Sequence, residues 1–303
     1  MVGAGLLLSG IGMSAVLRNR TFRPDENYFN RDFIRGYREH SSAQVILLGN
    51  SRVLSGLSAP VMERISGRRV LQLGYSSSNL SITRMVLESY LQKADTPPET
   101  VVLEVSWFTF NPKRTGFHRQ FAGDLAMNDP CLLAYSFRYP ELFQSWLARI
   151  AAVAVLPPSS SYTDYAVVKM KEYAGSDSTT KDYTVDVKAM ERIFPDHRAG
   201  IDPELQEDFM EIVSLCARNH IRLVLYTGPE DAGYAAMQKD REAVLGIFRG
   251  AAGQPGVFYL DYTPGGPLYR PSNENILLNA DHIFFEDIFT RQFTGDLKQM
   301  DLP

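Results

Sequence analysis

Five short apolar runs alternate along the chain with segments of helical pattern, and this alternation limits the possible folds more than any other sequence feature. Each run has the length of a buried strand and is bounded by glycine, proline or polar residues. Strands that alternate with helices join through right-handed crossovers into a parallel sheet. The sequence therefore predicts an α/β protein with a doubly wound sheet of about five parallel strands, in the runs at 43–49, 68–74, 99–108, 221–229 and 256–262.

Helical patterns occupy the segments between these runs. After the first run, Ser58 is a candidate N-cap, Pro60 falls in the first turn and Gly67 follows the last residue, all of which are common helix-end signals. Between residues 202 and 219, apolar residues recur at the spacing of an amphipathic helix. The sequence also predicts helices at 79–94, near 236–250 and at roughly 284–298.

The alternation is interrupted between the third and fourth strands. Residues 111–201 contain aromatic clusters and a polar tract rich in Ser, Thr and Asp, without the strand and helix alternation seen elsewhere. We interpret this segment as one long, partly helical insertion in an α/β domain that spans residues 44–303.

The N-terminal segment is apolar. Residues 2–17 carry no charge, and as a helix they would be about 24 Å long, against a hydrocarbon core of about 30 Å. No cleavage site of a signal peptide follows them. We therefore expect residues 1–17 to be an uncleaved N-terminal membrane anchor and residues 18–43 to be a stalk. The three arginines within 18–23 oppose an envelope-facing body, because basic residues favour the cytoplasmic side.

Charge and cysteine content exclude two classes of partner. The net charge is −4 and no basic stripe interleaves with aromatic residues, so we expect no nucleic-acid partner. Cys131 and Cys216 form no CxxC or zinc-type spacing, which argues against a cysteine-based metal site and leaves one possible disulfide or two core thiols. Core thiols are favoured because Cys216 falls on the apolar face of a predicted helix. We expect neither a metal ion nor a cofactor.

Two polar turns follow the first and second predicted strands, where ligands of such a sheet bind. Ser51, in the turn 49–51, is a candidate nucleophile if a base and oxyanion donors are nearby. Gly74 ends the next strand, and because it has no Cβ its N–H can approach a ligand closely. Ordinary turn chemistry also accounts for these residues, and Ser78 or Asn79 is a candidate helix cap.

A third turn contains a candidate general base. Of the five histidines, His282 is the one between the last strand region and the last helix. An imidazole in that position can take the proton of a nucleophilic hydroxyl. Asp281 is adjacent to it and Asn279 stands three positions earlier, so either side chain is a candidate to orient the ring.

Together these turns resemble the SGNH (GDSL-type) hydrolase superfamily, in particular its membrane-anchored bacterial branch that handles acyl groups on envelope polysaccharides. The turn Gly49-Asn50-Ser51 matches the family block with the nucleophilic serine, and Gly74 matches the oxyanion glycine. The sequence NADH at 279–282 matches the position of the block with the catalytic histidine. The resemblance implies a flavodoxin-like three-layer fold, with the segment 111–201 outside it.

Two positions depart from the family pattern. Asn279 stands where the family has the triad aspartate, so the third member of a triad is open between Asn279 and Asp281. The Gly-x-Asn oxyanion motif after the third strand is missing, and Ser106 is the nearest polar residue that could replace it. Asn50 is a further candidate for the substrate-binding set.

The resemblance implies a serine-dependent ester hydrolase or O-acyltransferase that acts on acyl esters, in the first place O-acetyl esters, of cell-envelope polysaccharide. It implies a location at the bacterial inner membrane with a periplasmic body. One alternative is a catalytically impaired domain that binds a glycan or partner as an assembly factor, which Asn279 motivates. A nucleotide or flavin binder is a third class, disfavoured because neither phosphate-binding glycine motif is present.

Overall fold

The five predicted strands form one parallel sheet. In the computed structural model, the described residues are 42–74, 78–111, 194–276 and 286–302. The strand order is β2-β1-β3-β4-β5 and all four pairings are parallel. The predicted α/β doubly wound sheet is therefore confirmed. Its strands are β1 (Val45–Leu48), β2 (Val70–Gln72), β3 (Thr100–Glu104), β4 (Arg222–Thr227) and β5 (Val257–Asp261).

Helices follow the strands in the predicted order. Two short helices were not predicted: one begins at Ser51, and the other lies just before the helix predicted near 236–250. Two 3₁₀ segments, Pro195–His197 and Pro271–Ile276, complete the described elements. The α-helices are α1 (Ser51–Gly56), α2 (Ala59–Ser66), α3 (Leu80–Lys93), α4 (Pro203–Arg218), α5 (Ala232–Met237), α6 (Arg241–Ala251) and α7 (Glu286–Gln299).

The two faces of the sheet bury different helices. Alternate strand residues such as Leu47 and Tyr226 form one cluster with Phe289 and Phe293 of α7, and with apolar residues of α1 and α2. On α4 and α6, Phe209 packs against Phe248 with ring centroids 5.5 Å apart. Full burial of one such side chain stabilises the fold by about 1.5–3 kcal/mol. The helices therefore cover both faces, as parallel sheets require.

The helix ends show which cap signals operate. Asn79, not Ser78, caps α3, because its Oδ1 accepts a hydrogen bond from the Ile82 N–H at 3.1 Å. Ser58 occupies the predicted N-cap position of α2 but makes no side-chain capping bond. Gly67 ends α2 with φ at +71°, a left-handed conformation that glycine adopts without steric cost.

The residues on either side of the segment 112–193 contact each other. Trp107, just after β3, packs on Phe194 with ring centroids 4.7 Å apart. The Asp202 N–H, at the start of α4, donates to the Phe110 carbonyl at 2.9 Å. Asp240 accepts hydrogen bonds from Trp107 Nε1 and from the Gly200 N–H. Trp107 and Phe110 thus contact residues that follow the segment 112–193, which itself lies outside the described residues.

The predicted N-terminal anchor and almost all of the stalk also lie outside the described residues, so those boundaries stay predictions. Within the ranges that the structure describes, no helix is long and apolar enough to cross a membrane. Cys216 is a free thiol on the buried face of α4, as expected for a core cysteine.

Candidate active site

Ser51 lies at the carboxyl edge of the sheet, between the parallel strands β1 and β3, where the direction in which successive strands are added to the sheet reverses. In the order β2-β1-β3-β4-β5, the chain moves outward from β1 to β2 and then crosses back to β3. Ligands of doubly wound sheets bind at this switch point, outside the carboxyl ends of the strands. Ser51 is the first residue of α1, only three positions after β1 ends. Ser51 therefore lies where a ligand of this sheet would bind.

Gly49 makes the sharp turn from β1 into α1 possible. Its φ is +140°, a conformation that side-chain-bearing residues rarely adopt. A Cβ at this position would lie 2.8 Å from the Cβ of Glu104, at the end of β3. Glycine therefore allows both the turn and the close approach of the two strand ends on either side of the switch point.

Asn50 holds the start of α1. It is the N-cap residue, and its Oδ1 accepts a hydrogen bond from the Arg52 N–H at 2.8 Å. Its side chain is buried, with 6% of the residue exposed. The amide oxygen thus stabilises the turn that carries Ser51, and the predicted substrate contact stays a prediction.

Gly74 lies next to the Ser51 turn, as the adjacent strands β1 and β2 require. A Cβ on Gly74 would come within 2.3 Å of Val53 Cγ1 on α1 and within 3.6 Å of the Gly49 carbonyl oxygen. Within the described residues, the Gly74 N–H donates to no acceptor. A buried backbone N–H that is left available for a ligand is the kind of donor that an oxyanion site needs.

Ser106 follows β3 and is fully buried. Its N–H donates to Thr109 Oγ1 at 2.7 Å, and the two hydroxyl oxygens are 3.3 Å apart. These contacts make Ser106 part of a turn stabilised by its own hydroxyl neighbours. Its proposed place in the oxyanion or substrate-binding set stays a prediction.

A buried ion-pair network beside Ser51 was not predicted from the sequence. Arg52 Nη1 lies 3.2 Å from Glu230 Oε1, and Arg52 Nε lies 3.5 Å from Glu104 Oε1. Glu230 Oε2 also lies 2.7 Å from Arg241 Nη1. The side chains of Arg52, Glu104 and Glu230 are each 3% exposed or less. Glu104, a carboxylate within an apolar strand, is the sequence signal that could have indicated this network.

Tyr226 on β4 lies close to the same charges. Burial raises the pKa of its hydroxyl well above the ordinary value, and the negative charge of Glu104 raises it further, while Arg52 opposes the change. The hydroxyl is buried and has no hydrogen-bond partner in the part of the chain that the structure describes. Tyr226 therefore stays protonated and neutral beside the network.

The other predicted catalytic residues lie outside the described residues. Asn279, Asp281 and His282 fall in the segment 277–285. The helix that follows this segment, α7, packs against α1 and α2. The Ser58 N–H, between α1 and α2, donates to Thr290 Oγ1 of α7 at 2.9 Å. Ser51 begins α1 and His282 precedes α7, and these two helices are in contact.

Comparison with known proteins finds similarity only among solved structures. No family profile and no curated protein matches the chain. A GDSL-like lipase from Bacteroides thetaiotaomicron has 11% identity and a TM-score of 0.41, with 89% of this chain and 97% of that chain covered. A family two carbohydrate esterase from Clostridium thermocellum has 10% identity and a TM-score of 0.37, with 86% of this chain and 64% of that chain covered. Similarity at this level assigns no function.

The described part of the site combines three features that favour nucleophilic chemistry. A hydroxyl starts a helix at the switch point, a glycine N–H beside it has no acceptor among the described residues, and the turn that carries the hydroxyl is held by Asn50 and Gly49. No group of His, Cys, Asp and Glu side chains in the described ranges is arranged to hold a metal ion.

Proposed function

We propose that this protein is a serine-dependent ester hydrolase or O-acyltransferase that acts on acyl esters, in the first place O-acetyl esters, of cell-envelope polysaccharide. The observation that carries the proposal is the position of Gly74 beside the turn and helix that carry Ser51, at the switch point of the sheet. Acyl transfer requires a nucleophilic hydroxyl and a backbone donor for the oxyanion close to each other, and both lie at the carboxyl edge of this sheet.

In the proposed reaction, Ser51 Oγ attacks the ester carbonyl carbon while His282 takes the hydroxyl proton. The carbonyl π electrons move to oxygen, and the N–H groups of Ser51 and Gly74 bind the resulting oxyanion. When the intermediate collapses, the carbon–oxygen bond to the sugar breaks and His282 donates the proton to the departing alkoxide. The product of this half-reaction is an acyl ester on Ser51.

The second half-reaction repeats these steps with a different nucleophile. His282 deprotonates water or a sugar hydroxyl, which attacks the acyl-Ser51 carbonyl and displaces the serine. Water as the acceptor makes the protein an esterase, and a sugar hydroxyl makes it a transferase. Asn279 or Asp281 orients the imidazole, and a neutral Asn279 stabilises the imidazolium less than a carboxylate does.

The substrate class and location rest on the sequence resemblance and on the apolar segment at residues 2–17. With residues 1–17 as an anchor in the bacterial inner membrane, the α/β unit faces the periplasm, where envelope polysaccharide is modified. Protease treatment of spheroplasts tests this: a periplasmic body is digested without lysis, and a body protected until lysis contradicts the location.

The catalytic proposal is tested by covalent labelling of the full-length protein with a fluorophosphonate probe. We expect one adduct, on Ser51, and we expect Ser51→Ala to abolish it. Ser55→Ala is the matched control, because Ser55 lies on the same short helix and its loss leaves the turn at Gly49 intact. A folded sample with no adduct on Ser51 rejects the proposal.

Asn279 favours one second candidate, a binding protein that has lost catalysis and serves as an assembly factor. The two candidates differ in what Ser51→Ala does in cells. If the protein is an enzyme, cells that carry only the Ser51→Ala variant should lose its function. If it is a binding protein, those cells should keep its function, and the variant should still bind saccharide.

A further inference from the structure

We propose that Arg52 is a positioning residue for Ser51: its guanidinium bridges Glu104 and Glu230 and thereby sets the orientation of α1. The inference rests on the proposed function, because only a nucleophilic Ser51 has a reaction whose rate depends on the orientation of its hydroxyl. Its evidence is separate and lies in the contacts of the residue that follows Ser51.

The Arg52 side chain ties three parts of the sheet edge together. Arg52 lies on α1, directly after β1, while Glu104 ends β3 and Glu230 follows β4. The guanidinium reaches Glu230 through Nη1 at 3.2 Å and Glu104 through Nε at 3.5 Å. A guanidinium is planar and presents its donors in a fixed fork, so two carboxylates held at the ends of different strands, one at the end of β3 and one just after β4, restrict its direction. The direction of α1 is restricted with it.

Among the residues that the structure describes, the network pairs two positive with two negative side chains. Arg52 and Arg241 carry two positive charges, and Glu104 and Glu230 carry two negative ones. Phe108 lies against the guanidinium, whose Cζ is 5.6 Å from the ring centroid. A buried charge is costly unless it is paired, so each member of this set holds its neighbours in place.

Orientation, more than overall stability, is what such a network supplies. Buried ion pairs often contribute little net stability compared with apolar residues of similar size, and fixing one arrangement is their better attested role. The helix α1 has only six residues and cannot form stably alone. Its geometry therefore depends on side-chain contacts, and Arg52 supplies a buried polar one immediately beside Ser51.

The test compares Arg52→Lys and Arg52→Met with the wild-type full-length protein. Lysine keeps the charge but cannot bridge both carboxylates in the same geometry. We expect both variants to lower the kcat for an activated acyl ester by about 10- to 100-fold, with KM within about twofold of the wild-type value. Arg84→Lys is the matched control, because Arg84 of α3 forms a 3.2 Å ion pair with Asp208 of α4. We expect it to leave kcat unchanged.

A second readout does not depend on activity. Amide hydrogen exchange in the peptide that contains α1 should become faster in both Arg52 variants, while exchange in β3 and β4 stays slow. Unchanged kcat in a folded Arg52→Lys protein overturns the inference, and so does unchanged exchange in α1. If Arg52→Met does not fold, Arg52→Lys decides. If wild-type Ser51 proves inactive, the proposed function fails, and exchange in α1 alone decides whether Arg52 orients the helix.

Discussion

Gly74 and Val53 lie so close that no side chain fits between them. A Cβ on Gly74 would approach Val53 Cγ1 to 2.3 Å, well inside van der Waals contact, and Val53 is fully buried on α1. The end of β2 and the helix that begins at Ser51 are therefore packed directly together. This contact places Gly74, the candidate oxyanion donor, beside the helix that begins at Ser51, the candidate nucleophile.

We expect Gly74→Ala to damage both stability and activity. The added methyl group must displace either Val53 or the backbone at residue 74, and overpacking of this kind costs about 1–3 kcal/mol. Movement of the Gly74 N–H should also slow acylation of Ser51, by about 10²-fold or more if the donor is lost. Urea unfolding and probe labelling measure the two effects.

Gly246→Ala is the control for this change. Gly246 lies within α6, and a Cβ there would meet no atom of the described residues within 4 Å beyond its chain neighbours and the backbone of its own helix. Alanine should stabilise the helix by about 0.5–1 kcal/mol without changing the labelling rate. Equal stability losses in the two variants would contradict the packing account of Gly74.

Asp240 should make stability depend on pH in the acidic range. Burial by itself raises the pKa of Asp240, but hydrogen bonds from Gly200, Trp107 and Ala199 outweigh it and hold the pKa below its ordinary value. A lowered folded-state pKa gives stability that is present above the unfolded value, about 3.9, and is lost as the pH falls through the folded value. The Asp240→Asn variant has no carboxyl group at this position, so its stability should lack this dependence on pH.

The measurement is the urea midpoint of wild type and Asp240→Asn from pH 7 to pH 2.5. Wild type should be the more stable at pH 7, and the difference should shrink below about pH 4. A difference that stays constant down to pH 2.5 would show that the Asp240 carboxylate makes no charge-dependent contribution.

Tyr226→Phe should be neutral or stabilising. The Tyr226 hydroxyl is buried and finds no hydrogen-bond partner among the described residues, so its removal relieves a desolvation cost, and we expect a gain of up to about 1 kcal/mol. Tyr262→Phe is the matched control, because the Tyr262 hydroxyl donates to Asp296 Oδ2 at 3.0 Å. That change should cost about 1.5–3 kcal/mol. Thermal unfolding compares them, and similar losses in both would disprove the assignment.

Cys216 should be inert in the native protein. Burial raises the pKa of its thiol to about 12, so at pH 8 almost none of it is the reactive thiolate. After treatment with iodoacetamide, mass spectrometry should find the Cys216 peptide unmodified in buffer and modified in urea. The peptide with Cys131 is quantified separately. Rapid native modification of Cys216 would contradict its burial in α4.

Much of the fold could be predicted because the signals are local. The apolar runs at 43–49 and 221–229 contain β1 and β4, and the amphipathic spacing of 202–219 corresponds to α4. Each pattern reflects which side chains of one segment face the core, which depends only on the period of strand or helix. The two short helices were missed because six residues hold too few turns to show a period.

The site was predictable only in part. The turn at Ser51 and its neighbour Gly74 follow from two adjacent parallel strands, so their proximity is a consequence of the predicted topology. The roles of Asn50 and Ser106 in binding stay predictions, and the structure adds that both side chains take part in their own turns. The contribution of His282 also stays a prediction.

The sequence by itself determined the alternation of strands and helices and the glycine-bounded turns, because burial period and backbone freedom are properties of short segments. Only the tertiary structure decided that Arg52 meets Glu230, a residue 178 positions away, and Glu104 at the end of β3. The physical reason is that the sequence around a charged residue does not indicate which distant residue it will pair with. Strand order selects the partner, and exclusion of water from the sheet edge then makes the pairing necessary.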